Sequence, residues 1–545
     1  MTADSPEVQV LITCKHEAVL LLGWLKKTRT RVQCTSANAF LLLCSEGLRD
    51  SVDLIDAPLS SDRANDIAVF AEQRAREVDA DIARHLADAT GRHISQGWDF
   101  WDKLLFGKSL LPLLEWLRTY DLHRLPNRLA VCQFANAQDY LHPSLIRSQI
   151  LTDGLRRAGK RVVKIPIDCP FPPPYVPGVW RSSFRTSAHH LQGARLVHLP
   201  STFYAQADLA ERYGGNEFLA LESPYYETVL HGRRIELDRS SPVVRDLTFD
   251  AEVPRGIYRA FVEQLGMAGV EGSVLQVEHW LERLAFQFRA FKMLSLLRGK
   301  YGVSLAALSD HDGGLFGPVC SAFYDQREPV AIVPHSTICV GPLPRLASDV
   351  IGVMQSVRPL EPFDRAPLPA PTLVQGSPKA LDAGGAFVIV LNEIDDVSGL
   401  PVHGLSELLD FVEALALGLA ARGLRPVLRA RPSTPVRVVG RLAIEAWDGD
   451  LGELISTAAL CIGVGQVTSA LTRFWCAGVP CMHVQPGELN VHGNYLLPAK
   501  GVECFTGESF MKSLPDVLLC IDRLIAEQKT RMAFPLPRAA TEVDS

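Results

Sequence analysis

The chain has 545 residues, 47% of them hydrophobic and 21% charged, with a formal net charge of −6. That length calls for two or three domains, and the composition excludes a disordered or fibrous protein. The mildly acidic balance argues against a nucleic-acid partner, because nucleic-acid readers carry basic patches. Lys26-Lys-Thr-Arg-Thr-Arg31 is the densest basic run and reads as a solvated face.

From the amino terminus, Val8 to Thr13 predicts a first strand and Glu17 to Lys26 a helix. The opening residues lack the basic-then-apolar order of a signal peptide, so a cytoplasmic chain is expected. The apolar runs Val19–Leu25 and Phe40–Cys44 are far short of the roughly 20 residues that span a bilayer. Asp62 to Ala89 has a long helical pattern with Asp62 as its cap. Aromatics thicken between Trp98 and Trp116, as in a helical insertion packing on the first sheet. Two strands, Leu129–Phe134 and Val162–Ile167, bracket a helix at Ser144–Ala158.

Cys169 to Pro177 is a proline-rich break that reads as a rigid surface loop, and 194–232 has no clear pattern. Beyond it, Glu278–Arg298 predicts a helix, Val303–Leu308 a strand, Pro318–Tyr324 a helix and Val330–His335 another strand. Residues 357–385 hold six prolines and then Gly384-Gly385, the composition of a linker. These breaks divide the chain into an N-terminal α/β domain (1–356), the linker (357–385), a C-terminal Rossmann-like domain (386–530) and a tail (531–545). The twelve cysteines are dispersed and form no CxxC pair. Cys132, Cys320, Cys461 and Cys481 sit beside apolar runs, as small buried hydrophobes in a reducing compartment would.

The C-terminal domain carries the clearest pattern. Phe387–Leu391, Pro426–Arg431, Leu460–Gly463 and Cys481–Val484 read as strands. Helices are expected at Leu405–Arg422 and Ala470–Ala477, the second stopped by Gly478-Val-Pro480. Two α/β halves joined by a proline-rich linker imply a cleft for a small molecule, and parallel sheets bind ligands beyond the carboxyl ends of their strands.

Three constellations lie at such strand ends. In the first, Gly463 and Gly465 let backbone approach a ligand, and Thr468 and Ser469 can cap a helix or bond a phosphate. A plain glycine loop with a Ser/Thr cap is the alternative. In the second, Arg429 and Arg431 end a strand, where arginine pairs bidentately with phosphate or is simply a surface pair. The third is Asp310-His-Asp312-Gly-Gly314, with His335 ending the next apolar run. A carboxylate there can act as a general base; an Asx turn or a Mg²⁺ site are the other readings, the metal without a further hard ligand nearby.

Over about 305–500 these residues resemble the GT-B glycosyltransferases of bacterial capsule and lipopolysaccharide biosynthesis, particularly those using CMP-sialic acid or CMP-Kdo. Arg431-Pro432 stands where that group has His-Pro, Thr468-Ser469 where it has a serine pair, and Gly478-Val-Pro480 matches its turn. The Asp310–Gly313 run is similar to its acidic base motif, and Val330–Ser336 to its strand ending in His-Gly. The resemblance implies an α/β fold of two Rossmann-like domains facing across a cleft, with helical insertions in the N-terminal half. It also implies transfer of a sugar from a nucleotide donor, a CMP-sugar favoured, to a glycan or lipid-linked glycan acceptor. Asp310 or Asp312 would be the base, with Arg431 and the helix terminus serving the leaving phosphate; no cofactor or metal would be needed. Peripheral association with the cytoplasmic membrane or with other glycan-assembly proteins fits such an acceptor. Two alternatives share the architecture: a UDP-sugar 2-epimerase, and a non-catalytic binding protein, favoured by arginine in place of the His-Pro histidine.

Overall fold

The computed structural model describes residues 8–91, 111–134, 143–167, 277–308, 316–328, 379–391 (without 383), 399–430, 444–487 (without 467) and 502–533. It adds short pieces at 93–94, 98, 196–199, 218–220, 233–234, 330–332, 351–353 and 394–395. The chain divides into two compact units. Unit 1 comprises 1–372, 395–401 and 494–496; unit 2 comprises 373–394, 402–493 and 497–545. The protein is α/β, and every strand pair in its sheets is parallel.

Among the described residues, unit 1 holds two sheets where the sequence marked one α/β region. The first has the order β3-β2-β1-β4-β5: β1 Gln9–Ile12, β2 Val32–Cys34, β3 Val52–Leu54, β4 Arg128–Phe134 and β5 Arg161–Ile167. Helices α1 (Lys15–Thr28), α2 (Ala37–Ser45) and α3 (Ser61–Thr90) intervene, with α4 (Leu111–Thr119) and α5 (Pro143–Arg157) further on. The core of this sheet gathers Val10, Ile12, Leu21, Leu25, Val32, Leu43, Val52 and Ala130. Strand β5 lies at the edge of the sheet, mostly exposed, and contains Pro166, which an edge tolerates because no partner there needs its missing N–H. The second sheet runs β11-β10-β9-β6-β7-β8: β6 Leu196–Leu199, β7 Phe218–Ala220, β8 Arg233–Arg234, β9 Leu305–Leu308, β10 Val330–Ile332 and β11 Ile351–Val353. Strands β6, β7 and β8, of two to four residues, are too short to show a period, which is why 194–232 had no legible pattern.

Two expectations change. Ser60, not Asp62, caps α3: its hydroxyl accepts from the Arg63 N–H at 3.3 Å, and Asp62 falls in the first turn, where its charge suits the helix dipole. Trp98 and Trp116, the aromatics of 98–116 among the described residues, pack in different places. Trp116 lies on α4, stacks on Tyr120 at 4.9 Å and packs with α5 beside the first sheet. Trp98 instead reaches the helices that bracket β9 in sequence, α6 (Val277–Tyr301) and α7 (Phe316–Ala322). Its indole N–H donates to Ser321 Oγ at 3.0 Å, its carbonyl accepts from Gln287 Nε2 at 2.5 Å, and its ring meets Phe291 edge-on at 5.7 Å.

Gly317 on α7 is what allows this approach, since a Cβ there would lie 2.5 Å from the Trp98 backbone N and Cα. Backbone cannot swing aside as a side chain can, so Gly317→Ala is expected to destabilise unit 1 by about 1–3 kcal/mol. At Gly154 on α5 a Cβ would meet only the end of the Leu117 side chain, also at 2.5 Å, and Gly154→Ala should cost less. Thermal melts of both variants compare them; equal shifts would show that the Trp98 backbone is free to move.

Unit 2 is built on a sheet ordered β14-β13-β12-β15-β16-β17. Its strands are β12 Ala386–Leu391, β13 Arg425–Ala430, β14 Glu445–Ala446, β15 Ala458–Val464, β16 Cys481–Val484 and β17 Val502–Phe505. Every residue of β12, β15 and β16 is buried, as continuous apolar runs are in a parallel sheet covered on both faces. Helices α8 (Leu405–Ala420), α9 (Leu451–Thr457), α10 (Ser469–Cys476) and α11 (Phe510–Ala533) complete it. The edges are pinned by charge: Arg425 pairs with Glu445 of β14 at 2.6 Å, and Arg523 with Glu503 of β17 at 2.9 Å. The proline stretch at 354–378 lies outside the described residues. No described helix is long and apolar enough to cross a membrane.

Candidate functional site at the switch point of the third sheet

In the third sheet the chain winds outward from β12 through β13 to β14, then returns to lay β15, β16 and β17 on the other side of β12. Loops leaving the carboxyl ends of β12 and β15 therefore diverge, and such a switch point is where open parallel sheets hold ligands. The loop after β15 turns at Gly465, whose φ of 83° is one that side chains with a Cβ rarely adopt. Thr468 then caps α10, its hydroxyl accepting from the Ala470 N–H at 3.1 Å, and Ser469 is the first residue of the helix.

A row of residues in register crosses the sheet beneath this loop: Arg429, Val390, Gly463 and His483. Gly463 lies inside β15, and its placement gives it a packing role. A Cβ there would come within 3.1 Å of Leu471 and 3.2 Å of His483, so its small size lets α10 settle on the sheet. Arg429 uses one guanidinium nitrogen on the Trp447 carbonyl, at 3.0 Å.

Two histidines missing from the sequence-based candidates complete the site. His483 is buried, and its Nε2 lies 2.8 Å from the Gly465 carbonyl; because a carbonyl only accepts, Nε2 carries the proton. Its Nδ1 finds no partner among the described residues. His403, from the segment between β12 and α8, turns its Cδ2 to within 3.9 Å of where a Cβ on Gly465 would be. It stands edge-on to Phe510 at 5.0 Å, and its Nε2 is likewise without a partner among the described residues. Burial pushes both imidazoles down to about 4; the neighbouring His483 lowers His403 further, while Glu407 pulls it up. Both rings are neutral at pH 7. A histidine inside the apolar run Cys481–Val484, across from a glycine strand end, was the signal available in the sequence.

Unit 1 treats its helix amino termini differently. Glu17 is buried at the start of α1 and accepts from the Thr13 N–H at 2.5 Å and the Thr13 hydroxyl at 3.0 Å. Asp395 is seated at the start of α2, accepting from Ser36 Oγ at 2.5 Å, the Ala37 N–H at 2.7 Å and the Asn38 N–H at 3.0 Å. Burial raises the Asp395 carboxyl against the downward pull of these donors. The donors that a Rossmann-like sheet offers to phosphate are thus met at α2 by the chain's own Asp395 carboxylate, while at α1 Glu17 bonds Thr13, ahead of the helix.

The remaining sequence candidates, Arg431, Asp310, Asp312 and His335, lie outside the described residues, as does the side chain of Ser469. Strand β9 ends two residues before Asp310 and β10 three residues before His335, and these strands are paired neighbours in the second sheet.

No protein-family model and no curated protein sequence matches the chain. Among solved structures it is similar to MurG of Acinetobacter baumannii, at 13% identity over 61% of this chain and 91% of that one, with a TM-score of 0.32. The glycosyltransferase SnogD of Streptomyces nogalater is similar at 15% identity over 62% and 95%, with a TM-score of 0.30. UDP-GlcNAc 2-epimerase of Neisseria meningitidis is similar at 9% identity over 62% and 93%, with a TM-score of 0.29. At these scores the likenesses carry no argument about activity.

Proposed function

We propose that this chain is a glycosyltransferase that moves a sugar from a nucleotide-activated donor, a CMP-sugar favoured, to a hydroxyl of a bacterial surface glycan or its lipid-linked precursor. The observation that carries the donor site is the contrast between units. The N–H groups that open α2 are met by Asp395, whereas α10 follows a left-handed glycine turn at a switch point and is capped by a threonine hydroxyl. Backbone N–H groups there, with Gly465, Thr468 and Ser469, would hold the donor's phosphate. The motif resemblance over about 305–500 supports the transfer chemistry. Asp310 or Asp312 would take the proton of the acceptor hydroxyl as its oxygen bonds to the anomeric carbon. The bond from that carbon to phosphate breaks, and Arg431 offsets the charge left on the nucleotide without a metal. A cytoplasmic chain at the surface of the inner membrane fits work on a lipid-linked acceptor.

Calorimetry with CMP, CDP, UDP and GDP tests the donor site on wild type and Ser469→Ala. Loss of one charge-assisted hydrogen bond should weaken binding of the preferred nucleotide by about 1.5 kcal/mol, roughly tenfold in Kd. Preference for a nucleotide other than CMP would keep the site and change the donor class. Turnover of UDP-GlcNAc with no acceptor present would move the chain to the epimerases, and no binding of any nucleotide would leave the non-catalytic alternative.

A further inference from the structure

Of the eight large hydrophobic side chains exposed among the described residues, three fall within six positions of α1: Val19 (52% exposed), Leu20 (41%) and Trp24 (44%). The helix turns its other face, Ala18, Leu21 and Leu25, into the first sheet's core, so these three belong to its outward side. Leu20 and Trp24 are four residues apart and so neighbours on that side. The basic run singled out from the sequence begins where they end. Lys26 and Lys27 occupy the last turn of α1, Arg29 is its left-handed cap, and Arg31 leads into β2.

Residues 15–31 carry five lysines and arginines against one acid, Glu17, which is buried on Thr13. Lys26 pairs with Glu46 at 2.6 Å; Lys27, Arg29 and Arg31 are exposed and make no ion pair among the described residues. A cluster this basic in a chain of net charge −6 is a local concentration of one sign. An exposed tryptophan with aliphatic neighbours, bordered by unpaired cations, has the chemistry of a helix that lies in a membrane interface. The apolar groups enter the headgroup boundary and the cations meet anionic lipid.

We propose that the outward face of α1 is a docking surface for anionic lipid bilayers, centred on Leu20 and Trp24 and steered by Lys27, Arg29 and Arg31. It deepens the lipid-linked-acceptor reading above by giving membrane association a place on the molecule. It relies on neither the nucleotide site nor any spanning segment. Three side chains make a shallow anchor, so binding is reversible and depends on the lipid charge.

Co-sedimentation of the full chain with vesicles tests this, using phosphatidylcholine alone or mixed with phosphatidylglycerol. Wild type should pellet with the mixed vesicles, stay in solution with phosphatidylcholine alone, and be released by salt as the charges are screened. The double variant Leu20→Glu/Trp24→Glu should lose binding by about tenfold or more. Reversal of Lys27, Arg29 and Arg31 to Glu should lose it by about a hundredfold. All five side chains are exposed, and nucleotide calorimetry on each variant, expected unchanged, separates failure here from failure of the donor site. No pelleting of wild type, or equal pelleting of wild type and variants, overturns the proposal. So does a wild type that self-associates without binding vesicles and becomes monomeric in the double variant, which would make this face a contact between copies.

Discussion

Acidification from pH 7 to pH 5 is expected to remove about 4 kcal/mol from the stability of unit 2, about 2 kcal/mol through each of His403 and His483. Both ionise at about 4 in the folded chain, against an ordinary value of 6.5, because burial disfavours the imidazolium. A base whose folded pKa is lowered takes up its proton more readily when unfolded. Its contribution is therefore complete above about 6.5, declines as pH falls, and is fully lost below about 4. Most carboxylates stay ionised down to pH 5, which leaves the upper part of this window to the histidines. Hydrogen exchange of the third sheet's amides at about pH 7, 6 and 5, corrected for intrinsic exchange rates, would read the slope. His483→Gln keeps an amide donor for the Gly465 carbonyl and should halve that slope. A wild-type stability that stays flat over this range would show that water or another group already satisfies these rings.

Replacement of Trp98 by alanine is expected to cost about 3–5 kcal/mol, from the cavity it leaves. The indole is wholly buried, and its loss also strands the Ser321 hydroxyl, which accepts the indole N–H at 3.0 Å. Trp98→Phe retains much of the volume and removes only that bond, so about 1–2 kcal/mol is expected of it. Denaturant midpoints for the two variants order the terms. A Trp98→Ala chain as stable as Trp98→Phe would mean that α6 and α7 close over the gap.

The winding of unit 2 was legible because its strands are buried on both faces and so appear as unbroken apolar runs, Ala386–Leu391 and Ala458–Val464 among them. Helix α8 was equally plain from its regular spacing of buried leucines, Leu405, Leu408, Leu415 and Leu419. Where strands are three residues long, as in β2, β3 and β7, two side chains on one face set no period, and those elements escaped. The site was legible where backbone chemistry is written in residue type: Gly465 in a left-handed turn and Thr468 as a cap. It was illegible where function of a residue depends on a neighbour distant in sequence. His403 and Gly465 are 62 positions apart, and only the closing of β12 beside β15 brings them together. The packing role of Gly463 was hidden for the same reason, since Leu471 and His483 fill the space a side chain would need.

The edges of two sheets have a consequence for the protein at high concentration. An open parallel sheet ends in strands whose outer N–H and C=O groups can template pairing with another chain. Here β3 and β14 are only three and two residues long, β5 offers that template broken at Pro166 and carries Arg161 and Lys164, and β17 holds Glu503 in an ion pair. Each is a poor seed for strand addition, so both sheets can end in solvent without inviting a foreign strand to extend them into an aggregate.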